Sequence, residues 1–163
     1  MLPPTTRRVE QNTPMAVNRE IERQIERSVF HHAEHPEEID ARLAALDAEW
    51  DIERLLEANA ASLALTGVLL GAFVDRRFLV LPAVVTAFLL QHALQGWCPP
   101  VPLLRRYGVR TTSEIERERT ALKALRGDFD AGRQQRSESG WGAATNATTT
   151  RDRARLALQT ARA

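Results

Sequence analysis

The chain has 163 residues, enough for one domain of ordinary size, and its net charge of +1 gives no overall attraction to nucleic acid or other polyanions. Charged residues make up 26% of the sequence, yet almost none lies between residues 60 and 94 outside one short turn. The single cysteine, Cys98, excludes an intrachain disulfide, and the polar residues 1–20 predict no secretory signal.

The first third of the chain predicts a tail followed by two amphipathic helices. Residues 1–17 contain three prolines and little apolar content, so we expect a disordered tail. Asn18 is a candidate N-cap, and an amphipathic helical segment is expected over 18–57, broken at His35-Pro36. The apolar stripes are Ile21, Ile25 and Val29 in the first helix, and Ile39, Leu43, Leu46 and Trp50 in the second. Because 37–66 contains no Gly or Pro, the second helix is expected to continue into the apolar region.

Two apolar runs, 60–74 and 78–94, are joined by Asp75-Arg76-Arg77 and predict a transmembrane hairpin over 58–110, with helices at about 58–74 and 78–97. A spanning helix needs about 20 apolar residues. The strict runs have 15 and 17, but Leu55 and Trp97 can extend them to the interfaces. The alternative is a soluble bundle that buries both runs, although neither run has the polar face expected of one.

The last third predicts one more amphipathic helix, over 111–128. Thr111 and Glu114 have capping-box spacing, Ile115 and Leu122 lie on one apolar stripe, and Gly127 is the expected C-terminal stop. Residues 129–163 are expected to be a disordered basic tail that contacts anionic lipid or stays in solution. The alternative for its end is a short amphipathic helix.

Local charge predicts the orientation and the contacts of the flanks. Arginines are more numerous on the flanks of the hairpin than in its turn, so the positive-inside rule places both termini in the cytoplasm of a bacterium, with the inner membrane crossed twice. The stretch 36–57 carries about −6 and 103–126 about +4, which favours antiparallel docking of the flanking helices. The expected partners are the lipid bilayer, a second copy, and a protein bound by the cytoplasmic helices, but no nucleic acid.

Small residues predict where helices approach closely. They form two small-xxx-small pairs, which are Gly67 with Gly71 and Ala83 with Ala87. Such pairs let helix backbones come together in lipid. They are expected either to close the hairpin on itself or to join two copies in a homo-oligomer.

The stretch from Asn59 to Pro100 resembles the bacterial DUF2892 family, the inner-membrane YgaP-like transmembrane domain. The matching positions are Asn59, Gly67, Gly96, Trp97, Cys98, Pro99 and Leu103-Leu104, within about residues 55–110. The resemblance implies a two-helix inner-membrane hairpin. Some members of the family are fused to a rhodanese domain, which transfers sulfane sulfur on a catalytic cysteine. This chain contains no such α/β domain, so that activity is not carried over.

Few residues are candidates for chemistry. Cys98 is the candidate reactive thiol, activated by Arg105 and Arg106, and the alternative is a small packing residue at a helix end. Gln91, His92 and Gln95 are polar residues inside the second apolar helix, which suit either proton transfer or helix contacts at the interface. His31, His32 and His35 with Glu34 provide too few well-spaced ligands for a metal site. A haem bound at Cys98-Pro99 is a further alternative, less favoured than a reactive or a packing role for this cysteine. We therefore expect no metal and no cofactor.

The sequence therefore predicts an all-α protein in which a two-helix transmembrane hairpin is flanked by amphipathic cytoplasmic helices and disordered tails. We expect a non-enzymatic membrane anchor or scaffold. The alternative is a membrane-bound thiol redox or sulfur-relay component that acts through Cys98.

Overall fold

The computed structural model describes residues 8–129 and 149–162, and these form α-helices, two 3₁₀ turns and no strand. The predicted all-helical class is confirmed. The helices are α1 (Arg8–Gln11), α2 (Met15–Glu34), α3 (Ile39–Ala48), α4 (Ile52–Phe73), α5 (Val80–Gln95), α6 (Val101–Arg106), α7 (Thr112–Arg126) and α8 (Thr150–Thr160). The 3₁₀ turns are Pro36–Glu38 and Arg76–Leu79.

The structure has helices in both segments that were expected to be disordered tails, and for the C-terminal end it agrees with the alternative of a short amphipathic helix. The segment 8–17 contains α1 and the start of α2, and Val9 is buried. At the other end, α8 begins at the N-cap Thr149 and buries Ala154, Ala157 and Leu158. Helices this short are marginally stable alone, and here tertiary packing of their buried side chains stabilises them. Residues 1–7, 130–148 and 163 of the two predicted tails lie outside the described residues.

The prediction of one continuous helix from 37 into the apolar region is also wrong, because the chain breaks between Ala48 and Ile52. Asp51 has an extended backbone, and its carboxylate accepts a hydrogen bond from the Arg54 amide at 2.8 Å, which starts α4. Trp50 therefore leaves the α3 stripe. It is 46% exposed and lies 4.5 Å beneath the guanidinium of Arg54.

The described chain divides into two compact units. Unit 1 comprises the described residues through Ile21 and Trp50–Thr112, and unit 2 comprises Glu22–Glu49 and the described residues from Ser113 onward. The segments predicted from sequence, with boundaries at 57, 110 and 128, do not follow this division. Composition reveals where polarity changes along the chain, whereas a unit is defined by contacts between distant segments.

Unit 2 is a set of helices with an apolar core. The predicted stripe residues Ile25, Val29, Ile39, Leu43, Leu46, Ile115 and Leu122 are buried there. Across its surface Asp47 pairs with Arg119 at 2.7 Å and Asp40 with Arg126 at 2.5 Å, so α3 and α7 run antiparallel. Exposed ion pairs of this kind contribute about 0–1 kcal/mol each, and the apolar stripes supply most of the contact. The helix α7 ends at Arg126, and the left-handed φ of 92° at the next residue, Gly127, explains the predicted stop.

Within unit 1, α4 and α5 pack closely against each other near the short connection between them. A Cβ on Gly67 would lie 2.5 Å from Cδ of Pro82, and one on Gly71 would lie 2.6 Å from Cδ2 of Leu79. The later residue of α4, Gly71, meets the earlier residue after the turn, Leu79, and Gly67 meets Pro82, so the two helices are antiparallel. We call them the α4–α5 pair.

The four small residues do not share one face of this pair. Gly67 and Gly71 are buried, whereas Ala83 and Ala87 are exposed. The inward side of α5 instead carries bulkier residues, spaced three or four apart, of which Pro82, Val85 and Leu89 are partly buried and His92 is buried. Within one chain, therefore, the glycines make the close helix contact and the alanines do not. A role for Ala83 and Ala87 in contact with a second copy stays a prediction.

Candidate functional site at the base of the α4–α5 pair

The end of α5 is capped by the N-terminal segment of the chain. Gly96 ends the helix with φ 75°, and a Cβ there would lie 2.5 Å from the carbonyl carbon of Arg8. Asn12 donates a side-chain hydrogen bond to the Gln95 carbonyl at 2.8 Å, and Arg8 donates one to the Ala93 carbonyl at 3.4 Å. The last carbonyls of a helix have no partners within the helix, and these two side chains satisfy two of them. Only glycine fits at position 96, because the backbone of Arg8 occupies the space of a side chain.

Arg105 holds the same segment from the other side. Its side chain is fully buried, which is unusual for an arginine. It donates hydrogen bonds to Thr13 Oγ1 at 3.2 Å, to Asn18 Oδ1 at 2.8 Å and to the Val109 carbonyl at 3.1 Å. Arg106, its neighbour, is exposed. The sequence does not distinguish the two arginines. The structure shows that Arg105 is a buried hydrogen-bond donor and that Arg106 is a surface charge.

Cys98 is buried in the base of unit 1. It belongs to an apolar cluster with Val9, Ile52, Leu56 and Val101. Burial raises the pKa of its thiol, so the thiolate is disfavoured at neutral pH. A raised pKa is the opposite of the predicted activation by Arg105 and Arg106, and the Arg105 guanidinium donates hydrogen bonds to Thr13, Asn18 and the Val109 carbonyl. The packing interpretation of Cys98 is the one that this geometry favours.

A cavity of about 310 Å³ lies beside Cys98, between α4 and α5. Its walls are almost entirely apolar and include Leu56, Leu63, Val85, Phe88 and Leu89, with Asn59 as a polar residue among them. A cavity of this size and character suits a hydrocarbon chain or another apolar group, and it offers no acid, base or cation for catalysis.

The polar residues predicted within α5 have different surroundings. Gln91 is half-buried and Gln95 is exposed, whereas His92 is only 4% exposed. Neither ring nitrogen of His92 has a hydrogen-bond partner. Two buried polar atoms from elsewhere in unit 1 share this condition, Nε of Arg8 and Oε2 of Glu53. Neither residue was singled out from the sequence, because helical spacing alone does not bring residue 8 to α5.

His31 and His32 of α2, and His35 directly after it, lie in unit 2 and do not assemble a metal site. The rings of His31 and His35 stack at 4.4 Å, and His31 Nε2 lies 2.9 Å from Glu38 Oε2 rather than beside Glu34. His32 is buried, with Nδ1 2.7 Å from the Ser28 carbonyl. Among residues 8–129 and 149–162, no three His, Cys, Asp or Glu side chains converge as metal ligands do.

Comparison with known proteins adds no family: no protein-family model, curated protein or solved structure matches this chain.

We expect the burial of Cys98 to slow its modification. In detergent micelles at pH 7, a maleimide should react with Cys98 about tenfold more slowly than with a cysteine at position 107 in the Cys98→Ser, Tyr107→Cys variant, because Tyr107 is 79% exposed. The rate at Cys98 should also continue to rise with pH after the rate at position 107 has levelled, since its pKa is raised. Unfolding in dodecyl sulfate is the control and should make the two rates equal; equal rates in the folded proteins would contradict the buried position.

Proposed function

We propose that this chain is a small, non-enzymatic integral protein of the bacterial inner membrane. Its α4–α5 pair serves as a transmembrane hairpin, and its helical unit 2 serves as a cytoplasmic scaffold for another protein. The likeness to the DUF2892 family, carried by Gly96-Trp97-Cys98-Pro99, is part of the same proposal.

The observation that carries the proposal is the exposed apolar surface of the α4–α5 pair. Two helical stretches are long and apolar enough to cross a membrane, one ending at Phe73 and the other over Arg76–Gln95, and only 17% and 6% of their most apolar windows are buried. A helix at the core of a soluble protein would be mostly buried. Large side chains exposed along the pair include Leu65, Phe73, Val80, Leu90 and Leu94. A soluble monomer rarely exposes a continuous apolar surface of this extent, and lipid would cover it.

Helix length supports the same proposal. The 22 residues of α4 give about 33 Å, and α5 together with the preceding 3₁₀ turn gives about 32 Å, against a hydrocarbon core of about 30 Å. The strict apolar runs in the sequence are shorter because α4 begins at Ile52, eight residues before its run. Its first turns contain Glu53 and Glu57, which suit the headgroup region.

The residues at the base of the pair support an interfacial position for that end. Trp50, Leu103 and Tyr107 are exposed near the base, next to the exposed arginines Arg54 and Arg106. Aromatic side chains and arginines are favoured at the headgroup level, and the excess of arginine at the base favours a cytoplasmic location for it. Both termini would then lie in the cytoplasm.

Two cysteine probes in a Cys98→Ser background test the proposal. Val74 is 68% exposed beside the turn, and Tyr107 is 79% exposed at the base. With an impermeant maleimide, Val74→Cys should be labelled in intact spheroplasts, and Tyr107→Cys only after the membrane is opened. Labelling of both probes on the same side would contradict a spanning hairpin, and the reverse pattern would invert the orientation. Recovery of the protein in the soluble fraction would end the proposal.

A further inference from the structure

The cavity between α4 and α5 begins on the base side of the close glycine contact. Gly67 meets Pro82, and about one turn nearer the base the cavity is lined by Leu63 of α4 and Val85 of α5. Its inner end is formed by Cys98 and the two prolines that follow it. The side chains between the helices do not fill this region, and a volume of about 310 Å³ remains among them.

The cavity opens onto the outer apolar surface of the α4–α5 pair. Leu63 and Phe88 line it and are 42% and 36% exposed, so they belong both to its wall and to that surface. Leu56 and Cys98 line it as well, but they are only 3% and 7% exposed. The cavity therefore leads from the exposed apolar surface to two buried side chains.

The lining of the cavity defines the chemistry of what can bind there. Among the described residues that line it, none is charged, and apart from the Cys98 thiol the polar side chain is that of Asn59. An ionic ligand would lose its hydration in such a place without gaining a charged partner. Pockets with apolar walls recognise apolar groups, so the part of a ligand that enters must be uncharged and largely hydrocarbon.

The dimensions of the cavity favour one hydrocarbon chain. Its lining residues on α4 extend from Leu56 to Leu63, which is about 10 Å along the helix axis. A helix of a second copy or of another protein, about 10 Å in diameter, would need on the order of 800 Å³ over this length, more than twice the cavity volume. A single extended chain that runs along α4 needs far less space, and lipid chains lie in this direction beside a helix that crosses a membrane.

We propose that the cavity binds one acyl chain of a phospholipid from the leaflet at the base of the α4–α5 pair. This inference rests on the proposed membrane location of the pair. The chain enters past Leu63 and Phe88 and lies against Leu56 and Cys98. Binding is driven by dispersion contacts, which side chains around an unfilled void lack and a hydrocarbon chain supplies. The headgroup stays outside the cavity, because the walls offer it no charge.

Photolabelling of the full chain in vesicles of phosphatidylethanolamine and phosphatidylglycerol tests this. The probe is phosphatidylethanolamine with a diazirine in the headgroup-proximal half of one acyl chain, and peptide mass spectrometry locates the labelled positions. In the wild-type protein we expect label on the buried Leu56 and Cys98 and on Leu90, which is 62% exposed. Leu90 measures contact with bulk lipid at the same depth, since the register of Gly67 with Pro82 sets it level with Asn59.

Two phenylalanine substitutions on adjacent residues separate the cavity from the lipid-facing surface. Ala60 lines the cavity and is half-buried, whereas Ala61 is exposed and lies outside the lining. Ala60→Phe places a large ring in the cavity and should lower the labelling of Leu56 and Cys98 about tenfold. The matched control, Ala61→Phe, should leave their labelling within about twofold of the wild type, as expected of a surface substitution. Neither variant should change the labelling of Leu90, which also reports that each variant is in the membrane.

The possible results distinguish a failure of this site from a failure of the membrane location. Label on Leu90 without label on Leu56 and Cys98 would overturn the acyl-chain site and leave the spanning hairpin in place. Absence of label from all three positions would overturn both proposals. Equal labelling of Leu56 in Ala60→Phe and Ala61→Phe would also overturn the site, because lipid would then reach Leu56 by a route outside the cavity. The wild-type result needs no variant to fold.

Discussion

Replacing Arg105 by methionine should cost unit 1 about 3 kcal/mol of unfolding free energy, whereas Arg106→Met should cost no more than about 0.5 kcal/mol. Arg105 is fully buried and donates hydrogen bonds to Thr13, to Asn18 and to the Val109 carbonyl. Methionine fills much of the same space but leaves Thr13, Asn18 and the Val109 carbonyl short of a donor. Each buried group left in this way costs about 1–3 kcal/mol. Arg106 is exposed, so its removal leaves the core unchanged.

The Arg105 prediction is measured by thermal unfolding of the two variants in the same detergent, followed by circular dichroism. Limited proteolysis gives a second reading, because Arg105 ties the segment around Thr13 to the base of unit 1. Arg105→Met should become sensitive to cleavage between residues 8 and 18, and Arg106→Met should not. Equal stabilities and equal cleavage would mean that the buried arginine does not hold this segment.

Replacing Gly67 by leucine should prevent the α4–α5 pair from closing, with a loss of about 3 kcal/mol in unfolding free energy. A Cβ at this position would lie 2.5 Å from Cδ of Pro82 and 3.1 Å from Cβ of Leu81. The proline ring is fixed to the backbone of α5, so the helices must separate to admit the side chain. Gly71 meets the end of the flexible Leu79 side chain, so a substitution there should cost less.

Ala83→Leu is the matched control, since Ala83 is a small residue of the same pair but is exposed. Reversible unfolding in mixed detergent and dodecyl sulfate should show that the stability of Ala83→Leu is within about 0.5 kcal/mol of the wild type.

The same variants separate the two roles predicted for small residues. Gly67→Leu should open the pair within one chain, and a change of oligomeric state in Ala83→Leu alone would place the contact with a second copy on the exposed face of α5. Equal stability of Gly67→Leu and Ala83→Leu would contradict the observed packing.

The sequence by itself determined the helical class, the two apolar helices and most of the apolar stripe residues. These follow from local rules, because helical periodicity places Ile21, Ile25 and Val29 on one face and a charge-free run cannot form a soluble surface helix. The stop at Gly127 is equally local, since a glycine is favoured at the left-handed end of a helix. Such features depend on residues within a few positions of each other.

Only the tertiary structure decided which polar residues matter at the base. Arg105 and Arg106 are adjacent in sequence, yet one is buried against Thr13 and Asn18 and the other is in solvent. Arg8 likewise interacts electrostatically with Glu53 and with His92, which lie 45 and 84 positions further along the chain. Spacing along one helix contains no information about such contacts. They arise because packing brings distant segments together, and burial then removes water as the alternative hydrogen-bond partner.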